Sequence, residues 1–146
     1  MATIEILDTD SYTLVYHEAD KIVHHTIKPP IEHDSTRDKH KGRVMSKWQR
    51  LLTVGTEVLI ENGATKWIAD NRALTGQVPP DDQVWIQDTW QPYAVSKGWK
   101  YWALVVPETL VGQADMVKYV ESVYERGIRT TVYSNLDEAF AWLRSL

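Results

Sequence analysis

The chain has 146 residues, with 16 Lys and Arg against 20 Asp and Glu and a formal charge of −4, a balance that argues against nucleic-acid binding as a whole-molecule property. It contains no cysteine, which excludes disulfides, thiolate nucleophiles and Cys-based zinc sites. The length suits one domain, 1–146, able to bury about two-thirds of its unfolded surface. No basic leader and no apolar run of about 18 residues is present, so a cytoplasmic protein is expected.

Three short strands are predicted first, Ile4 to Leu7, Tyr12 to Tyr16 and Lys21 to Ile27, separated by polar turn clusters. They read as an antiparallel meander. Tyr12, Leu14 and Tyr16 alternate with Thr13, Val15 and His17, so one face meets a core and the other is half wet. Pro29-Pro30 ends the pairing, and Ile31 to Gly42 reads as a polar segment wrapping an edge. Val44, Met45, Trp48, Leu51, Leu52, Gly55, Val58 and Leu59 then recur at helical spacing, with Asn62-Gly63 as the stop.

The stretch Lys66 to Gly76 reads as a buried strand, Trp67-Ile68-Ala69, that breaks into the polar triplet Asp70-Asn71-Arg72. In open α/β sheets, ligands bind where parallel strands end at their carboxyl edge. Pro79-Pro80-Asp81-Asp82 starts a helix, with two carboxylates at the positive end of its dipole, and Pro92 predicts a kink or break before Gly98. Tyr101 to Val106 is nearly all apolar, as a strand covered on both faces should be. A helix through Met116, Val120, Val123 and Tyr124 follows, then a β-branched strand, Arg129 to Tyr133. A last helix containing Leu136, Phe140 and Leu143 has two alternative caps, Ser134 to Asp137 or Asn135 to Glu138. The order β-β-β-α-β-α-β-α-β-α implies an α/β fold with a mixed sheet, the N-terminal meander antiparallel and the βα units parallel.

The segments Trp67-Ile-Ala-Asp-Asn-Arg, Gly98-Trp-Lys-Tyr-Trp-Ala-Leu-Val-Val-Pro and Ser134-Asn-Leu-Asp-Glu-Ala-Phe-Ala-Trp-Leu, in this arrangement, resemble the SpoIIAA-like branch of the STAS/SEC14-type bacterial proteins. The resemblance covers nearly the whole chain. It implies a small domain related to anti-sigma factor antagonists and to lipid-binding CRAL-TRIO domains. In the antagonists the loop after the corresponding strand carries an Asp followed closely by a phosphorylated Ser or Thr and a Gly. Here Asp70 is followed by Asn71 and Arg72, and the nearest such hydroxyl is Thr75, before Gly76.

Asp70, Asn71 and Arg72 supply acceptors and forked donors for a polar ligand, with the alternative that Asp70 and Arg72 pair with each other. Pro107, Glu108 and Ser134 end at the same edge if the topology holds. The run Arg37, Lys39, His40, Lys41, Arg43, Lys47 and Arg50 is either a solvated face or a contact for an anionic partner such as a phospholipid surface or a nucleic-acid backbone. The chain has seven Trp, seven Tyr and one Phe. Among the aromatic side chains, Trp90, beside the helix break, is the pocket candidate. Trp99 and Tyr101 are expected to face away from Trp102. Glu32, His33, Asp34, Asp38 and His40 lack the spacing of a metal motif, and no metal or cofactor is expected. No nucleophile elbow, P-loop or GxGxxG is present. The expected function is a non-catalytic binding or regulatory module taking a protein partner or small amphiphilic ligand. Peripheral lipid binding and a small enzyme using Asp70 and Arg72 are alternatives, with the carboxylates of Asp70 and Glu108 as its candidate acid and base. Homodimerisation is compatible with the aromatic content, and no specific nucleic-acid partner is expected.

Overall fold

The computed structural model describes residues 3–28, 37–74 and 78–146, apart from the side chain of residue 37. Pro29-Pro30, Glu32, His33, Asp34 and Thr75-Gly76, singled out above, lie outside the described residues. Three N-terminal strands, β1 (Thr3–Asp8), β2 (Tyr12–His17) and β3 (Ile22–Ile27), pair antiparallel in sequence order. In β2, Tyr12, Leu14 and Tyr16 are buried while Thr13, Val15 and His17 are half-buried, as the period-2 pattern requires.

Residues 37–46 depart from the sequence reading. Arg37–His40 (β4) and Arg43–Ser46 (β5) form an antiparallel hairpin, so Val44 and Met45 belong to a strand and the first helix begins later. The reason is local: Lys41 and Gly42 have φ of 51° and 79°, a two-residue turn with both central residues left-handed, the geometry that matches hairpin twist. Helix α1 (Lys47–Asn62) starts where Ser46 accepts a hydrogen bond from the Gln49 N–H, and stops at Gly63, whose φ of 61° is left-handed.

Strand β6 (Lys66–Asp70) pairs parallel with β3, β7 (Tyr101–Val105) parallel with β6, and β8 (Arg129–Tyr133) parallel with β7. The six-stranded order is β1-β2-β3-β6-β7-β8. The chain is therefore α/β with a mixed sheet, antiparallel at its N-terminal side and parallel beyond. Between β6 and β7 runs a continuous helical stretch: α2 (Pro80–Trp85), a π-helical turn at Ile86–Trp90, and α3 (Gln91–Ser96). The Gln91 N–H reaches back to the Ile86 carbonyl, so the kink expected at Pro92 is realised as a widened turn just before the proline.

Helix α4 (Ala114–Glu125) joins β7 to β8, and α5 (Leu136–Arg144) follows β8. Side chains of α1, α3 and α4 share a core with Tyr12, Leu14, Val23, Trp67, Trp102 and Leu104 on one face of the sheet. On the other face α5 packs Ala139 and Leu143 on Ile22, Ile68, Ala103 and Val105. The lopsided covering follows from topology. Strands added always in the same direction by right-handed crossovers put their connecting helices on one face, and only the helix after the last strand is free to cross to the other.

The expected orientation of Trp99 is corrected. It precedes β7 and its ring lies 5.0 Å from that of Trp102, in the same core. Alternation holds only within extended backbone, and the Gly98 turn, at φ 117°, rotates the chain before the strand begins. Among the described residues no helix is long and apolar enough to cross a membrane.

Candidate functional site

A cavity of about 400 Å³ opens at the carboxyl ends of β6 and β7. Its floor is Trp102, Leu104 and Val106, alternate residues that all face the three-helix side. One wall is Val78, Ile86 and Gln87, from the start of the second helical stretch and its π turn. The other is Leu110, Met116 and Tyr119, from the short turn after β7 and from α4. Asn71 and Pro107 sit at the two strand exits. The cavity is the space between the α2–π–α3 stretch and α4, which lie side by side on this face and whose apolar side chains only partly fill it.

Among the described residues its lining holds no Asp, Glu, Lys, Arg or His. The polar groups are Asn71, Gln83, Gln87, Trp102 and Tyr119. Burial pushes the Tyr119 hydroxyl up to about 12, so it stays protonated through the ordinary pH range. Gln83 Nε2 donates to the Val78 carbonyl at 2.6 Å. Trp102 Nε1 is enclosed and has no hydrogen-bond partner among the described residues.

Asn71 ends a buried chain of side chains. Trp67 Nε1 donates to His25 Nδ1 at 3.0 Å, and His25 Nε2 stands 3.1 Å from Asn71 Oδ1. Burial, which outweighs Asn71 and the Asp70 charge, lowers the His25 pKa to about 4 and keeps the ring neutral. The Asn71 backbone is fixed as well, its N–H donating to the Val105 carbonyl at 2.8 Å.

The sequence candidates divide between the two faces of the sheet. Asp70 points toward the α5 side, opposite to the cavity, and is 3 % exposed. Its carboxylate is gripped by Arg72 through Nε at 2.9 Å and an η nitrogen at 2.7 Å. Burial pushes Asp70 up, but the Arg72 hydrogen bonds outweigh it and hold the carboxyl below its ordinary value. The self-paired alternative is thus the arrangement found for Asp70 and Arg72. Nearby on that face, His17 Nε2 and His24 Nδ1 lie 3.1 Å apart, with Phe140 edge-on to both rings. His24 and His25, adjacent in sequence, face opposite sides as extended backbone dictates.

Trp90 does not line the cavity. It is buried in the core and donates to Thr56 Oγ1 at 2.8 Å, with Trp67, Trp99 and Trp102 around it. The π turn that Trp90 closes supplies Ile86 and Gln87 to the wall instead. Glu108 is exposed at the start of the turn after β7, and Ser134 is half-buried after β8, both outside the lining. Of the seven candidates, Asn71 and Pro107 are at the cavity. Sequence reasoning missed Leu104, Met116 and Tyr119. Period-2 spacing already places Trp102, Leu104 and Val106 on one face, but which face carries the cavity depends on where the helices pack.

Four members of the basic run are paired within the fold, sharing two carboxylates. His40 and Lys41 contact Glu57 at 2.7 and 2.6 Å, and Lys47 and Arg50 contact Asp38 at 2.6 and 3.5 Å. Among the described residues, Lys39 and Arg43 make no ion pair, and no group of three or more His, Asp or Glu is placed to hold a metal ion. No family model, curated protein or solved structure matches the chain.

Proposed function

We propose that this chain is a non-catalytic ligand-binding module of the SpoIIAA-like kind, whose cavity at the carboxyl edge of β6 and β7 takes a small, uncharged, mostly apolar molecule. One observation carries the reading: a cavity of about 400 Å³, within the usual range for small-molecule sites, whose described lining is apolar, amide, indole and phenol side chains with no carboxylate, amine, guanidinium or imidazole. A charged ligand would lose its hydration there without gaining a counter-charge. The antiparallel meander followed by parallel βα units supports the SpoIIAA-like assignment. Ligand binding would act by favouring one arrangement of the α2–π–α3 stretch against α4, the two walls of the cavity.

The test is native mass spectrometry of protein purified from its own host, with organic extraction of whatever is released. A neutral co-purifying molecule, lost in Leu104→Trp, which fills the cavity floor, is the expected result. Saturable binding of the neutral dye Nile red, abolished by the same substitution, gives a second readout. Protein that carries nothing and ignores the dye, or a Leu104→Trp variant that keeps either ligand, removes the cavity as the site.

A further inference from the structure

The side chain of Asn71 has a fixed sense, and the cavity inherits a polarity from it. An indole nitrogen only donates, so the 3.0 Å contact from Trp67 Nε1 makes His25 Nδ1 an acceptor. In a neutral imidazole the proton then resides on Nε2, which makes Nε2 the donor in its 3.1 Å contact and the Asn71 atom there the acceptor, Oδ1. Trp67 is fully buried and His25 is 2 % exposed, so neither ring has room to turn. The Asn71 amide therefore cannot flip without setting its N–H₂ against the His25 N–H. Its Nδ2, with two N–H donors, has no hydrogen-bond partner among the described residues and is not one of the enclosed unpartnered atoms. It belongs to a residue lining the cavity. Of the other donors in the described lining, Gln83 Nε2 is engaged by the Val78 carbonyl, Trp102 Nε1 is enclosed and the Tyr119 hydroxyl is paired with Gln91, while Gln87, on an exposed stretch of wall, carries an amide that no described residue holds in one sense.

We propose that Asn71 is the specificity-determining residue of the cavity, donating from Nδ2 to a carbonyl-type oxygen on an otherwise apolar, uncharged ligand, with Trp67 and His25 as the residues that orient it. This rests on the cavity being a ligand site. It narrows the ligand class to neutral ketones, esters, amides or lactones. Pure hydrocarbons leave the Asn71 donor without a partner, and ligands offering only a donor at that point meet another donor.

Two isosteric probes test it: acetophenone, and α-methylstyrene, in which a methylene replaces the carbonyl oxygen. Titrations followed by ¹H–¹⁵N correlation spectra, read at the Asn71 side-chain amide and the Trp102 indole, should show acetophenone binding about tenfold tighter than α-methylstyrene. Asn71→Leu and Asn71→Asp should each erase that preference while α-methylstyrene still binds. Asn71→Asp keeps an acceptor for His25, so loss of preference there is not loss of the buried chain. Independently of any probe, long-range ¹H–¹⁵N spectra should show His25 protonated on Nε2. Equal affinities in the wild type, or His25 protonated on Nδ1, overturn the proposal and leave the cavity reading standing. Failure of both probes to bind removes the cavity reading and this proposal together.

Discussion

At the scale of single residues, Gly55 shows that the core, rather than helix propensity, sets what a position tolerates. A glycine inside a helix ordinarily gains up to about 1 kcal/mol on replacement by alanine. A Cβ at position 55 would lie 2.4 and 2.7 Å from ring carbons of Trp67, which is fully buried and anchored through Nε1 to His25. The ring cannot retreat without breaking that hydrogen bond, so overpacking wins. We expect Gly55→Ala to lower stability by about 2 kcal/mol, measured as a reduced urea midpoint at unchanged slope. A rise in the midpoint would mean that the Trp67 ring is mobile, and would weaken the argument that it orients His25. The glycine was legible in the sequence only as one member of a helical stripe. Its partner, twelve residues on, belongs to a different element.

At the scale of elements, the last helix had two caps open to it, and the structure takes one. Asn135 Oδ1 accepts from the Glu138 N–H at 2.9 Å. Asn135→Ala should therefore lose about 1 kcal/mol of stability, while Ser134→Ala should stay within about 0.5 kcal/mol of wild type. Equal losses, read from thermal or urea unfolding, would show that the cap is shared. The choice was undecidable from spacing because both residues stand three positions before a carboxylate. It turns on where β8 ends. The β4–β5 hairpin is a harder case. A positive run at a helix start opposes the helix dipole, and the sequence offers no visible compensation. The compensation is Asp38, which reaches Lys47 and Arg50 on α1 and accepts from the Tyr12 hydroxyl on β2. Only pairing of β4 with β5 brings that carboxylate back over the helix.

At the scale of the whole molecule, histidines buried on both faces make the fold acid-sensitive. Burial, aided by the neighbouring imidazoles, lowers the His24 pKa to about 4, and burial does the same to His25. The unfolded chain takes up protons at these sites near the ordinary value of 6.5, and the folded chain does so only near 4. Stability is thus highest above about pH 7 and is lost as the pH falls through that window, at up to about 1.4 kcal/mol per histidine per pH unit. Between pH 7 and pH 5 the two together should remove about 4 kcal/mol, visible as a falling urea midpoint. Asp38 and Asp70 act in the same direction at lower pH. In both, burial raises the carboxyl but cationic hydrogen-bond partners outweigh it, so their contribution fades only as they are protonated. A stability profile flat from pH 7 to pH 5 would contradict the buried, neutral state of His25 on which the orientation of Asn71 depends.

Patterns that repeat within one element determined much of this chain from sequence alone. Alternation in the N-terminal meander, short apolar or β-branched runs in the later strands and a period of about 3.6 in the helices located the six strands of the main sheet and most of the helices, and Gly63, Pro80 and Pro92 marked a helix stop, a helix start and a kink. The mixed sheet then followed from connectivity and handedness. Tertiary structure decided what depends on which face meets which partner. Asp70 and Asn71 are neighbours in sequence, yet alternation at the strand end sends Asp70 to Arg72 on the α5 side and Asn71 to the cavity. Which of two adjacent polar residues meets a ligand depends on which face of the sheet the crossover helices occupy. That is a property of packing between distant segments, which no local spacing encodes.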